Sequence, residues 1–182
     1  MSKYTLIVPI AADTDKMGTE MPYLFGLDSN GLMYCVKSIM GLPLEAFSDI
    51  YFTILHKHNL RYKLLEMMQI QFERLGIAHK THVYELWEST SSQPETLYHT
   101  VVGNHITGAV LFKDGDSYFT TEVYPENMLY IFPLDGLQVV NPQNKSYVTI
   151  DEQYYITNII EKKIVSRFFC AGGYSIEDVQ DF

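Results

Sequence analysis

The stretch Lys113-Asp114-Gly115-Asp116-Ser117 sets two carboxylates one residue apart. At the end of a strand, such a pair can face one hard divalent cation, which takes oxygen ligands and bridges to substrate phosphates. The flanking runs Val110-Leu111-Phe112 and Tyr118-Phe119 support a second reading, because Asp-Gly between apolar runs is also a hairpin turn. The pair follows the fourth strand of an apparent α/β sheet, where ligands gather, and this position brings the two readings level.

Two other loops fall at the same end of the expected sheet. In Thr90-Ser91-Ser92-Gln93-Pro94-Glu95-Thr96, exposed amides at a helix start and the two-way hydrogen bonding of Gln93 suit a base or polar head group. The same residues have the S-x-x-E form of a capping box, with Ser92 and Glu95 only closing the helix end. Pro9-Ile10-Ala11-Ala12-Asp13-Thr14-Asp15-Lys16-Met17-Gly18 is small and polar after a first strand, but it lacks the glycine pattern of a phosphate cradle.

Other reactive residue types form no constellation. His56 and His58 flank Lys57, and His79, His82, His99 and His105 are dispersed. Ser91 and Ser92 lack the setting of a nucleophile elbow. Trp87 is read as packing rather than stacking. Cys35 and Cys170, each in an apolar run, read as free buried thiols.

The elements that must hold these loops alternate strand and helix. Residues 4–10, 50–55, 81–86 and 109–112 read as strands, the second apolar without alternation, as in the interior of a parallel sheet. Helices are expected over 32–40, stopping at Gly41; over about 60–75, with Leu64, Met68, Phe72 and Leu75 on one face and Gly76 as the stop; and from Ser92 through Val102. After Asp116 the expected elements are strands alone, over 128–132, 147–150, 155–160 and 166–170. The expectation is an α/β fold: a doubly wound, mostly parallel sheet with helices on both faces and a β-rich C-terminal third, in one domain over 1–182.

The chain's 182 residues are 47% hydrophobic and 19% charged, a globular balance that excludes disorder. Thirteen Lys and Arg against 22 Asp and Glu leave a formal charge of -9, which argues against a nucleic-acid partner. No run approaches a membrane span, and the short N-terminal apolar run is not a signal peptide, so a cytoplasmic protein is expected.

Several segments, in order, resemble the nucleotidyltransferases of sugar-nucleotide pyrophosphorylase and phosphocholine cytidylyltransferase type, with their glycosyltransferase-A-like (nucleotide-diphospho-sugar transferase-like) fold. Residues 4–12 resemble that family's first strand and the start of its nucleotide loop. Residues 26–39 resemble its passage from a polar turn into a first helix, and residues 48–55 its second strand. Thr90-Ser91-Ser92-Gln93-Pro94-Glu95-Thr96 resembles the segment approaching the base, and Lys113-Asp114-Gly115-Asp116-Ser117-Tyr118-Phe119 the metal-binding turn. Residues 156–166 resemble the strand carrying a Glu-Lys pair, and Ala171-Gly172-Gly173-Tyr174-Ser175-Ile176 the glycine-aromatic strand after it.

The resemblance implies transfer of a nucleotidyl group from a nucleoside triphosphate to a sugar phosphate or phosphocholine-like acceptor, with release of pyrophosphate. It implies Mg2+, or Mn2+, on Asp114 and Asp116, and substrate contacts at Ala11, Ala12, Asp13, Gln93, Pro94, Glu95, Glu161, Gly172 and Gly173. Lys162 inherits a role at the acceptor's phosphate. The alternatives are a catalytically silent domain binding a nucleotide or sugar nucleotide, and a metal-dependent glycosyltransferase using an NDP-sugar.

The departures are specific. The family's loop is G-x-G-x-R, followed by a lysine beside proline; here Ala12-Asp13-Thr14-Asp15-Lys16 has neither glycine nor arginine, and Met21-Pro22-Tyr23 has no lysine. Lys16 is then the substitute cation for a triphosphate's developing charge. A second metal-binding aspartate would be Asp178 or Asp181, or would belong to a longer protein.

Overall fold

The computed structural model describes residues 4–12, 21–136 and 144–182, which form two compact units. The first comprises residues 1–127 and 175–182, and the second residues 128–174.

The first unit is built on four parallel strands: β1 (Tyr4–Pro9), β2 (Asp49–Leu55), β3 (Thr81–Leu86) and β4 (Ala109–Lys113). Their order is β3-β2-β1-β4. All three pairings are parallel, with Val8 opposite Phe52, Ile7 opposite Phe112 and Phe52 opposite Val83. The runs of apolar residues follow from this position, because a strand between helices buries both its faces. On one face Ile7, Val110 and Phe112 pack with Leu97 and Val101 of helix α4 (Gln93–Gly103), and with Val179. On the other face Phe52 stacks on Phe72 of helix α3 (Leu64–Arg74), ring centroids 5.3 Å apart. The sheet is thus covered by helices on both faces, as expected.

The helices differ from the sequence reading at their ends. Only Tyr34–Lys37 is α-helical (α1) in the segment expected to run over 32–40. Beyond it Ile39, Met40 and Leu42 donate to carbonyls three residues back, and Ser38 Oγ donates to the Cys35 carbonyl at 2.7 Å, so the chain tightens into turns. The expected helix over 60–75 begins earlier and is broken in two, α2 (His56–Tyr62) and α3. Lys63 between them has φ 56, where a left-handed residue cannot continue a helix. Gly76, at φ 71, closes α3 as predicted.

The second unit holds β5 (Met128–Pro133), β6 (Ser146–Ile150), β7 (Ile156–Glu161) and most of β8 (Phe168–Ile176). β6 pairs antiparallel with both β7 and β8, and β5 pairs with β8. The fourth of these strands starts later and runs farther than the expected 166–170. Ser166 Oγ donates to the carbonyls of Val148 and Phe168, so Ser166 anchors the approach rather than opening the strand. Gly172, at φ 84, lets the backbone continue through Gly173 where a side chain would be strained.

Candidate active site

β4 does not turn back on itself. After Asp116 the chain runs without regular structure to residue 127, and no strand returns beside β4 at Tyr118-Phe119. The hairpin reading of Asp114-Gly115 is therefore set aside. The extended stretch is pinned elsewhere: Thr121 N donates to the Gly41 carbonyl, and the Tyr124 carbonyl accepts from Tyr4 Oη at 3.0 Å and Ser175 Oγ at 2.8 Å.

The turn itself is held from inside. Lys113, fully buried, donates from Nζ to the Asp114 carbonyl at 2.7 Å, and to the Ser117 carbonyl and Oγ at 2.5 and 2.7 Å. Its ammonium also lies 4.7 Å from the centre of the Phe119 ring. Gly115 has no room for a Cβ, which would collide with Ile10 Cγ2. The acidic turn is thus pressed against the end of β1, where the loop of Ala11 and Ala12 begins.

That loop meets the start of α4. Pro9, Ala11, Ala12, Thr90, Ser91, Ser92, Gln93 and Thr96 line one cleft of about 380 Å3. Its α4 wall is heavily braced. Thr90 and Thr96 hydroxyls lie 2.5 Å apart, Thr96 Oγ1 donates to the Ser92 carbonyl, and Ser92 Oγ accepts from Glu95 N. The capping box is shifted by one residue on its return arm, because Glu95 Oε2 accepts from Ser91 N at 2.6 Å and Ser91 Oγ at 2.7 Å. Those bonds hold the Glu95 carboxyl below its ordinary range. A buried bond between Thr53 and Thr100 hydroxyls at 2.7 Å ties the next turn of α4 to β2.

Gln93 Nε2 donates to Asp114 Oδ1 at 2.7 Å, joining the cleft wall to the acidic turn. Asp116, exposed, accepts from the Tyr23 hydroxyl; desolvation, then the Asp116 charge and this bond, push Tyr23 up to about 12. Tyr23 therefore stays a neutral donor throughout the ordinary pH range. Tyr23, Tyr34, Lys37, Gly115 and Asp116 help line a second cavity of about 160 Å3. The turn's all-oxygen donor set is the chemistry a hard cation takes, and both carboxylates accept bonds from neutral groups that a cation can share. Among the described residues no group of three or more His, Cys, Asp and Glu side chains converges.

The structure thus brings together Ala11, Ala12, Gln93 and Asp114, while Asp116 lines the second cavity beside Tyr23. Pro94 lies in the first turn of α4, and Glu95 lines a separate cavity of about 240 Å3 with Trp87 and His99. Asp13 and Lys16 lie outside the described residues. Glu161 and Lys162 belong to the second unit and pair with each other at 2.9 Å, both exposed. Gly172 and Gly173 are buried within β8. Asp178 accepts from Gln180 N and caps a short 3-10 turn that contains Asp181.

Two features escaped the sequence reading. Trp87 is 79% exposed, not packed, with one face stacked on His56 at 3.9 Å while His56 Nδ1 lies 2.7 Å from Glu85 Oε2. The burial of Lys113 carried one weak signal, a lysine ending a wholly apolar strand.

No protein-family model matches the sequence, and comparison with curated proteins finds no match. Solved structures do match. A nucleoside-diphosphate-sugar pyrophosphorylase from Vibrio cholerae RC9 superposes with a TM-score of 0.75 at 18% identity, over 97% of this chain and 74% of that one. An inositol-1-phosphate CTP transferase from T. maritima gives 0.66 at 13% identity, over 95% and 70%. A UDP-glucose pyrophosphorylase complexed with UDP-glucose gives 0.64 at 13%, over 97% and 76%. At such identities the likeness is one of fold: this chain has the nucleotide-diphospho-sugar transferase-like fold.

Proposed function

We propose that the chain binds a nucleoside triphosphate in the cleft between Ala11-Ala12 and the start of α4, and transfers its nucleotidyl group to a small phosphorylated acceptor. The observation that carries this reading is the bond from Gln93 to Asp114. It unites the cleft wall and the acidic turn at the carboxyl ends of parallel strands, where α/β sheets bind ligands. A phosphate oxygen of the acceptor attacks the α-phosphorus, the bond to the leaving phosphate breaks, and pyrophosphate departs. The protein's part is positioning: the braced start of α4 walls the cleft, and Lys113 keeps the turn in place.

Asp114 and Asp116 would hold Mg2+, which when bound neutralises phosphate oxygens. With a net charge of -9, the chain leans on such a metal and on backbone amides for a triphosphate. Lys162 carries the proposed acceptor-phosphate role that the resemblance assigns, and Lys16 is the proposed substitute for the missing loop cations, with Asp13, Glu161, Gly172 and Gly173 as further substrate contacts.

A second reading, a silent nucleotide-binding domain, is favoured by one observation. Met21-Pro22-Tyr23 lacks the lysine that the resembled family has beside proline, and it is the Tyr23 hydroxyl that bonds Asp116. Thermal denaturation with a panel of nucleotides and NDP-sugars, with and without Mg2+, alongside a pyrophosphate-release assay, separates the readings. A ligand at one hundred times its Kd adds about 2.7 kcal/mol, a shift of several degrees. Transfer requires Mg2+-dependent stabilisation by CTP or UTP, lost in Asp116→Ala, together with pyrophosphate release on adding an acceptor. Stabilisation without release supports the silent domain, and stabilisation by an NDP-sugar alone supports a glycosyltransferase. No shift with any ligand overturns all three.

A further inference from the structure

β7 is the last strand of its sheet among the described residues, paired on one side with β6. Its side chains are open to solvent along almost the whole strand; Ile156 is 44% exposed and Ile159 51%. Tyr154, Tyr155 and Ile164, at its two ends, are exposed as well. Edge strands are normally blunted, because unpaired amides beside apolar side chains recruit another strand. The one irregularity lies between Thr149 and Ile150 on β6, opposite the beginning of β7, so residues 158–161 are regular.

The phase of the ladder shows which backbone groups are offered. Lys162 N donates to the Lys145 carbonyl at 2.9 Å, in register with Ile160 opposite Tyr147 and Asn158 opposite Thr149. Alternation in an antiparallel pair then turns Asn158 and Ile160 toward β6, and Ile159 and Glu161 toward the open edge.

We infer that β7 pairs antiparallel with the β7 of a second copy of this chain, about a two-fold axis near Ile159. Charge selects this occupant and this direction. The chain enters β7 from the acidic turn of Asp151 and Glu152 and leaves it through the paired Glu161 and Lys162 into Lys163, which sets the basic charge of the exit. That acidic turn is ordered, with Asp151 Oδ1 accepting from Gln153 N and Tyr155 N, both at 2.9 Å. Antiparallel self-pairing brings the basic exit of each copy toward the acidic entry of the other. A parallel mate would set like charges together, and a strand of uniform charge would suit only one end. The contact uses the same patch on both copies, so it closes as a dimer and consumes both edges.

Sedimentation velocity of the full chain, from micromolar to near-millimolar concentration, tests this inference. The expected species has twice the 21.0 kDa chain mass. Ile159→Lys, at an exposed position, is expected to weaken association at least tenfold (about 1.4 kcal/mol) with an unchanged circular dichroism spectrum. Lys163→Glu should weaken it too, and Lys163→Glu combined with Glu152→Lys should restore it. A monomer throughout the range, a dimer indifferent to Ile159→Lys, or failure of the double reversal to recover association would each overturn the pairing. None of these variants changes a residue to which a nucleotide or acceptor role is assigned, so loss of association and loss of nucleotide binding are read separately.

Discussion

β2 in the first unit and β7 in the second are both short strands rich in β-branched residues, yet β2 is buried from Phe52 to Leu55 and β7 is exposed nearly throughout. β2 has a parallel neighbour on each side, β1 and β3, and α3 and α4 over its faces. β7 has one strand neighbour. The same residue types are core in one place and surface in the other, because burial is decided by what covers a strand rather than by what composes it.

The sharpest way to break that comparison is to cut into both strands. Phe52→Ala is expected to cost about 3–5 kcal/mol, because it empties the stack on Phe72, whereas Ile156→Ala should stay within about 0.5 kcal/mol. Urea midpoints measured at low protein concentration check this. Comparable losses at the two sites would mean that β7 is covered.

The units also use lysine in opposite ways. Lys113 is buried and donates to the Asp114 carbonyl, the Ser117 carbonyl and Ser117 Oγ, while Lys162 sits in an exposed pair with Glu161. Lys113→Met should cost about 1–3 kcal/mol, and Lys162→Met, from an exposed pair, less than about 1. Lys113→Met should also erase any Mg2+-dependent nucleotide stabilisation, since it frees the turn carrying Asp114 and Asp116. Retention of that stabilisation would show that the turn holds itself.

The smallest effect compares two turns of the same design. Asp28 Oδ1 accepts from the backbone N–H groups two and four residues on, as Asp151 Oδ1 does. Asp28 adds Lys37 Nζ at 2.8 Å on its other oxygen, and this bond above all, with the Leu32 N–H, holds its pKa down to about 2 from 3.8. A depressed carboxylate contributes stability above its unfolded pKa, which is lost as pH falls through the folded one. Asp28→Asn should therefore flatten the fall in stability between about pH 3.8 and 2. A pH series of thermal midpoints reads the difference.

Much of the architecture was legible in the residues. Continuous apolar runs at 50–55 and 109–112 announced buried parallel strands, Gly76 announced a helix end, and Ser92 announced the start of α4. Helix interiors were less legible, because Lys63 and Ser38 break the pattern through backbone conformation that composition does not reveal. The two acidic residues of the turn and the polar segment before α4 were identified separately. Their connection through Gln93 and the buried lysine beneath the turn were not visible, because both depend on contacts between residues distant in the chain or on the depth of a side chain.

The sequence by itself determined the order of strands and helices, the acidic turn after β4 and the capped start of α4, all of which follow from local periodicity and short-range hydrogen bonding. Only the tertiary structure decided that Asp-Gly there is no hairpin, that Trp87 stands exposed, and that Ile159 faces an open edge. These depend on which strand lies beside which, and periodicity along one chain carries no record of its neighbours in space.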